Sequence, residues 1–170
     1  LDDLSLDVGI TYLDNEPLNA VDTLGLYHEE FSLLIPEKFR GSLADPLKWS
    51  ALADIPLCLL APEMQNRRII NGVFEKIGLH PEPVIESNSV VTLYGHVRSA
   101  GLCTIIPRNH FHLLGFSDGL ALKRLTAPVV SQRIGLVRHE TQVQSPRVAA
   151  FWQVAQSADI PAQIAALPPE

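Results

Sequence analysis

The amino-acid sequence predicts an α/β protein, and three observations support that fold class. Strand-like and helix-like segments alternate along the chain, as they do when helices cover a mainly parallel sheet. Residues 57–60 form a continuous apolar run, which is typical of a strand buried on both faces. In residues 65–77, apolar side chains recur at steps of three and four, which places them on one face of a helix.

The N-terminal part of the chain contains two predicted strands and one short predicted helix. Apolar and other residues alternate over residues 6–10, as in a strand with one buried face. Residues 26–36 form a longer predicted strand, which a proline ends. Residues 42–54 hold the short helix, around Trp49 and Leu52.

The middle of the chain has the pattern strand, helix, strand, helix, strand. After the run at 57–60 and the helix at 65–77, a short strand at 83–86 leads to Ser, Asn and Ser at 87–89, which favour a helix start. The second helix ends at a glycine and is followed by a buried strand at 102–106. Because such crossovers are right-handed, the three strands are predicted to lie parallel in one small sheet.

The C-terminal third differs from the middle of the chain. A short helix is predicted at 108–114, and residues 120–125 and 133–138 are predicted to be extended. Residues 159–170 contain three prolines and are predicted to form a loose tail. Ser145, followed by proline, is predicted to start a helix. The packed face of that helix is predicted to consist of Val148, Phe151, Trp152 and Ala155.

The composition indicates a folded, net-acidic protein. The chain has 170 residues, of which 46% are apolar and 19% are charged, and this argues against disorder. The formal net charge of -6 makes the chain a poor candidate for holding a phosphate backbone by itself. Cys58 and Cys103 lie in apolar runs, which favours buried reduced thiols, although a disulfide is also compatible with the sequence.

We expect a cytoplasmic protein without a membrane partner. No apolar stretch approaches the ~18 residues that a membrane span needs, and the N-terminus lacks the basic start of a signal peptide. The chain begins almost directly with a strand that no obvious helix covers. Both faces of such a sheet need to be covered. We therefore expect either that this sequence is the C-terminal part of a longer protein or that a partner chain supplies the missing cover.

Two motifs point to chemistry that their context disfavours. Residues 115–119 match G-x-S-x-G, the nucleophile elbow of hydrolases, with Ser117 as nucleophile. The elbow requires a strand before the serine and a helix after it, whereas the predicted order here is the reverse, so a turn is favoured.

His110 and His112 lack a third metal ligand nearby, so no metal is expected. The basic pairs are interpreted as solvated: Arg67 with Arg68, and Lys123 with Arg124.

The segment at 87–89 has a chemistry of its own. A helix N-terminus offers free backbone N–H groups and the positive end of the helix dipole, which together bind small anions. The segment also follows a predicted parallel strand, at the edge where open α/β sheets hold ligands. Ordinary capping of the helix is the alternative interpretation.

A series of different short motifs lies along residues 4–157. The strongest runs from Glu-x-Asn-Ser at 86–89 through residues 97–107, and Leu-x-x-Asp-Val-Gly-Ile stands at 4–10. Others lie at 24–36, 52–57 and 74–79. In this order and spacing they resemble the effector-binding domain of LysR-type transcriptional regulators, except that Cys103 replaces a glycine usual in that family.

The resemblance implies a two-lobed, periplasmic-binding-protein-like (type II) effector domain whose lobes are joined by two crossover strands. Residues 37–118 would form the second lobe. Residues 1–36 and 119–158 would form the crossover strands and an incomplete first lobe, and residues 159–170 a C-terminal tail. The family's N-terminal helix-turn-helix does not occur in the sequence, so DNA binding would belong to a part that is missing here.

The resemblance also implies a function without catalysis, cofactor or metal. The domain would sense a small, usually anionic metabolite between its lobes and would pair with itself as a dimer or tetramer. The alternatives are a transporter's solute-binding protein, which shares the fold, and a serine hydrolase using Ser117. The residues implied to contact the effector are Thr11, Ala61, Pro62, Asn66, Ser87, Asn88 and Ser89.

Overall fold

The computed structural model of the chain describes residues 6–15, 17–113, 115, 118–140 and 145–165. Eight strands are present in the described part of the chain: β1 (Val8–Tyr12), β2 (Val21–Pro36), β3 (Leu47–Lys48), β4 (Cys58–Leu60), β5 (Ile85–Ser87), β6 (Thr104–Pro107), β7 (Leu120–Thr126) and β8 (Ser131–His139). The same part contains five α-helices: α1 (Gln65–Lys76), α2 (Val90–Ala100), α3 (Arg108–Leu113), α4 (Pro146–Ser157) and α5 (Ile160–Ala165).

The chain divides into two compact units. Unit 1 holds the described residues of Leu1–Glu29 and Ser131–Pro168, and unit 2 holds those of Glu30–Val130. Strand β2 contributes residues 21–29 to unit 1 and residues 30–36 to unit 2. The structure therefore consists of two units that share one long strand.

Unit 1 is built on three strands in the order β1, β8, β2. Strand β8 pairs antiparallel with β1, so that Thr11 lies opposite Gly135. The side chains of Ile134, Leu136 and Val137 on β8 are buried. Because β8 has a strand on each side, it forms the centre of this unit's sheet.

Helix α4 of unit 1 begins as the sequence predicts. The Ser145 hydroxyl accepts a hydrogen bond of 3.3 Å from the Val148 N–H, with proline in the first turn. Val148 and Trp152 are buried, and the Arg138 guanidinium lies 4.2 Å from the Trp152 ring centre. Phe151, however, is 51% exposed, so its predicted place on the packed face is wrong.

The predicted loose tail is wrong for residues 160–165, which form α5. The Asp159 carboxylate accepts a hydrogen bond of 3.1 Å from the Ala162 N–H. A carboxylate at this position caps the helix and complements its dipole. The proline at position 161 lies in the first turn, where a helix tolerates the missing N–H.

Unit 2 has apolar cores on both faces of its strands. In β2, Leu33 and Ile35 belong to a core cluster with Ile70 and Phe74 of α1, whereas Leu34 belongs to a second cluster. That second cluster also includes Leu93, Tyr94 and Val97 of α2. Because side chains alternate along a strand, α1 and α2 pack against opposite faces. The predicted helix around Trp49 is a 3-10 helix, Trp49–Asp54, whose indole contacts Phe74 edge-on.

The predicted parallel sheet is confirmed for β4 and β5 but only in part for β6. Strands β4 and β5 pair parallel, with Leu60 opposite Ser87. Strand β6 instead pairs antiparallel with β2, and a single parallel bridge joins Leu57 to Cys103. Strand β7 also pairs antiparallel with β2 and parallel with β3. The carboxyl ends of β4, β5, β6 and β7 therefore point in one direction.

The two cysteines are free and buried, as the sequence favours. Cys58 lies in the core cluster that contains Leu93 of α2, and Cys103 lies in the core cluster that contains Ile70 of α1. The two residues are nevertheless adjacent, because the Cys58 N–H donates to the Cys103 carbonyl at 2.8 Å. Burial raises the pKa of each thiol to about 11, and for Cys103 the neighbouring Cys58 adds to this rise. Both thiols are therefore protonated and unreactive near neutral pH.

Candidate functional site

The candidate site in unit 2 lies where β4 and β5 end. Leu60 and Ser87 are opposite each other at the carboxyl ends of the two strands. Beyond them, the Ala61 N–H donates a hydrogen bond of 2.9 Å to the Ser87 carbonyl. The segments that follow the two strands therefore leave the sheet from the same edge, which is where open α/β sheets bind ligands.

The start of α2 presents backbone donors at this edge. Ser89 is extended and its hydroxyl accepts a long hydrogen bond of 3.4 Å from the Thr92 N–H, so Ser89 does cap the helix. The Ser89 N–H in turn donates to the Ser87 hydroxyl at 3.1 Å. Within the described residues, the N–H groups of Val90 and Val91 have no hydrogen-bond acceptor. These two donors, with the positive end of the dipole, remain available to an anion.

The side chains of residues 87–89 add polar groups to those amides. Asn88 is exposed and makes no side-chain hydrogen bond with any residue that the structure describes. Ser87 and Ser89 are half-buried, and each hydroxyl oxygen already accepts from a backbone N–H. Their hydroxyl protons can still donate, so the segment offers hydroxyl and amide donors to one ligand.

Three of the predicted contacts follow β4: Ala61 and Pro62 in the connecting segment, and Asn66 in the first turn of α1. Ala61 is half-buried and Pro62 is exposed, and α1 begins shortly after them at Gln65. The Asn66 Oδ1 is buried and, within the described part of the chain, has no hydrogen-bond partner. A buried acceptor left unpaired costs about 1–3 kcal/mol, so this oxygen favours a donor from a ligand or from water.

The structure corrects the interpretation of the basic pairs as solvated. Arg67 is 6% exposed and Lys123 is 5% exposed, whereas Arg68 and Arg124 are exposed. The burial of Arg67 follows from helical spacing, because Arg67 lies three residues before Ile70 and seven before Phe74, both buried. That spacing is present in the sequence and would have identified Arg67 as an inward-facing residue.

Thr11 and the rival motifs belong to other elements of the chain. Thr11 is half-buried on β1 in unit 1, and its part in the site remains a prediction. Ser117 lies outside the described residues, but α3 precedes it and β7 follows it, the reverse of the order that a nucleophile elbow needs.

The described residues, which include His110 and His112, contain no group of three or more potential metal ligands. They also include no helix that is long and apolar enough to cross a membrane.

Comparison with known proteins gives a consistent result. A family model described as LysR substrate binding domain matches residues 1–159. A probable nitrogen assimilation transcriptional activator of Synechococcus elongatus is 23% identical over 133 residues, which are 78% of this chain and 43% of the relative. The chain therefore spans less than half of that curated relative.

Solved structures show the fold of the chain. The regulatory domain of Synechocystis CcmR, in complex with 2-PG, matches with a TM-score of 0.80 and 10% identity, over 92% of this chain and 74% of that one. The effector-binding domain of QuiR, in complex with shikimate, matches with a TM-score of 0.75 and 21% identity, over 91% and 72%. Full-length CbnR in complex with its target DNA matches with a TM-score of 0.72 and 15% identity, over 92% and 52%.

The predicted fold class, an α/β domain of the type II periplasmic-binding-protein-like kind, is confirmed by these likenesses together with the strands and helices described above. The family model covers nearly all of the sequence, including both units and the edge at which β4 and β5 end. The chain belongs to the LysR substrate-binding domain family.

Proposed function

We propose that this chain is the effector-sensing domain of a LysR-type transcriptional regulator and that it binds a small anionic metabolite without transforming it. The observation that carries the proposal is the family match over residues 1–159. The domains of CcmR and QuiR, which share the fold, have been solved with 2-PG and with shikimate. Contact with DNA is proposed to come from other parts of the full-length protein, and self-association from this domain.

The chemistry at the end of β4 and β5 supports an anionic effector with a hydrogen-bond donor of its own. The Val90 and Val91 amides and the hydroxyls of residues 87 and 89 are donors, which suit a carboxylate or phosphate. The Asn66 Oδ1 is an acceptor without a partner among the described residues, and it suits a hydroxyl group. We therefore propose a hydroxylated acid or a phosphorylated small molecule as the effector.

A ligand screen tests the proposal. The melting temperature of the chain is measured with shikimate, with 2-PG, and with a panel of other small hydroxy acids and phosphate esters. Because a ligand that binds only the folded state stabilises it by mass action, at least one compound is expected to raise the melting temperature in a saturable way. Amines matched in size serve as controls and are expected to have no effect.

The outcome separates the proposal from its alternatives. Stabilisation by the amines but not by the acids would contradict an anion site. Turnover of a bound compound, detected by mass spectrometry, would contradict a purely sensory role. If no acid stabilises the chain at millimolar concentration, the proposed function is wrong for this domain.

A further inference from the structure

Arg67 is a buried cation whose contacts reach both strand ends at the candidate site. Its side chain is 7% exposed. Nη1 donates to the Leu60 carbonyl at 2.6 Å and to Glu86 Oε1 at 2.7 Å. Nε donates to Asn71 Oδ1 at 2.8 Å, one turn further along α1. One guanidinium therefore links α1, the end of β4 and the Glu86 side chain on β5.

The local sequence does not explain an arginine at this position. Arg67 lies in the first turn of α1, where a positive charge opposes the helix dipole. The N-cap residue, Met64, provides no side-chain hydrogen bond, and the first turn contains no acidic residue. The unfavourable placement is offset by the contacts with Leu60, Glu86 and Asn71. Departures from local rules that tertiary contacts offset are characteristic of functional sites.

Both contacts of Nη1 lie one residue before a segment of the candidate site. Leu60 immediately precedes Ala61, and Glu86 immediately precedes Ser87. The bond from the Ala61 N–H to the Ser87 carbonyl is a second link between the same two segments. Together with the pairing of Leu60 and Ser87 in the β4–β5 ladder, these bonds join the segment after β4 to the residues that precede α2.

We infer that Arg67 is a positioning residue of the proposed effector site, holding the segment after β4 and residues 87–89 at the separation that a ligand requires. The inference depends on the proposed function. Arg67 acts through the backbone of Leu60 and the side chain of Glu86, and it does not contact the ligand. A lysine keeps the charge but loses the Nε contact with Asn71, so it replaces arginine only in part.

The test uses two variants with matched controls. Glu86→Gln weakens the ion pair at a half-exposed carboxylate, and Glu75→Gln, near the other end of α1, removes an exposed carboxylate outside these contacts. Arg67→Lys is compared with Arg40→Lys, an exposed arginine whose ion pair with Glu37 lies outside these contacts. The first measurement, by NMR without ligand, is hydrogen–deuterium exchange of the Ala61 amide, with amides of the β2–β7 ladder as the reference for global unfolding.

We expect exchange of the Ala61 amide to accelerate about tenfold in Glu86→Gln and in Arg67→Lys, because each variant weakens a charged hydrogen bond. Exchange in the β2–β7 ladder is expected to stay the same, and the two control variants are expected to exchange like the wild type. Unchanged Ala61 exchange in both variants would overturn the inference. An equal acceleration in the β2–β7 ladder would also overturn it, because Arg67 would then serve overall stability.

The second measurement is the dissociation constant of the acid that stabilises the chain most in the screen. Glu86→Gln and Arg67→Lys are expected to raise this constant about tenfold, and the two controls are expected to leave it unchanged. Unaltered affinity together with accelerated Ala61 exchange would overturn the positioning role. If no acid binds at all, the proposed function fails, and the exchange measurement still decides whether Arg67 holds the two segments together.

Discussion

Asn88 and Ser89 are neighbours in sequence but differ in their contacts, so substitutions there separate binding from capping. The Ser89 hydroxyl caps α2, whereas the Asn88 side chain makes no hydrogen bond with the described residues. We expect Ser89→Ala to lower the free energy of unfolding by about 1 kcal/mol and to weaken effector binding. Asn88→Ala should weaken binding alone, with stability unchanged within about 0.5 kcal/mol. Melting curves and ligand titrations on both variants check this, and unchanged affinity in Asn88→Ala would exclude that residue from the site.

The buried thiols of Cys58 and Cys103 predict a loss of stability at alkaline pH. Their pKa values are raised by burial from 9.0 to about 11 in the folded protein. Above about pH 9 the thiols of the unfolded chain ionise while those of the folded chain remain protonated, which favours unfolding. The free energy of unfolding should therefore fall between pH 9 and 11, as measured by urea denaturation.

The double variant Cys58→Ala with Cys103→Ala is the control for this effect, because it removes both thiols and leaves the other titrating groups in place. Its free energy of unfolding is expected to fall less between pH 9 and 11 than that of the wild type. Equal falls in the two proteins would show that the thiols titrate normally in the folded state.

At the residue scale, the sequence predicted local roles better than distant ones. Ser89 and Ser145 start helices as predicted, because a cap depends on amides only three residues away. The inward direction of Arg67 follows from helical spacing, but its partners Leu60 and Glu86 were not predictable, since they are distant in sequence and meet only after β4 pairs with β5. Whether the predicted site residues contact an effector remains a prediction.

At the scale of elements, the packing around β8 gives a sharp prediction. A Cβ on Gly135 would lie 2.5 Å from both the Leu13 Cδ1 and the Leu24 carbonyl oxygen. The backbone oxygen cannot move as freely as a side chain, so we expect Gly135→Ala to lower the free energy of unfolding by about 2 kcal/mol. Urea denaturation measures this change.

Gly25→Ala on β2 is the matched control, because its nearest neighbour, Arg133 Cδ, lies at an ordinary distance of 3.7 Å. We expect its stability to be unchanged or slightly increased. If the two variants lose the same stability, the close approach of β8 to Leu13 and Leu24 is not what requires glycine at position 135.

Elements were predictable where their signals are periodic and local. Helices α1 and α2 follow apolar spacing and end before glycines with positive φ, Gly78 and Gly101. The partner of β6 was not predictable in the same way. Its ladder with β2 joins Leu33 to Ile105, and no local pattern specifies which of several apolar strands pair over such a distance.

At the scale of the whole molecule, we predict self-association through unit 1. Strand β1 pairs with β8 alone among the described strands, so one edge of β1 is open. Ile10 on this strand is 70% exposed, and Val154 on α4 is 67% exposed. Open edges and exposed apolar groups favour association. Sedimentation velocity is expected to show a dimer or larger species, and Ile10→Lys is expected to shift it toward monomer.

A clean monomer of the wild type at micromolar concentration would contradict that prediction. Glu30→Gln, a substitution at an exposed position of β2 that changes the net charge by the same amount, controls for the added charge and should leave the sedimentation coefficient unchanged. A shift to monomer in both variants would mean that net charge, and not the edge of β1, governs association.

We propose that a small anion binds where β4 and β5 end, against the start of α2. The most direct measurement is the change in NMR amide shifts when the acid identified by the ligand screen is added to the chain. We expect the Val90 and Val91 amides to shift most and to saturate together, because they are donors without acceptors in the described part of the protein. Saturable shifts that leave Val90, Val91 and the Asn66 side-chain amide unchanged would contradict it.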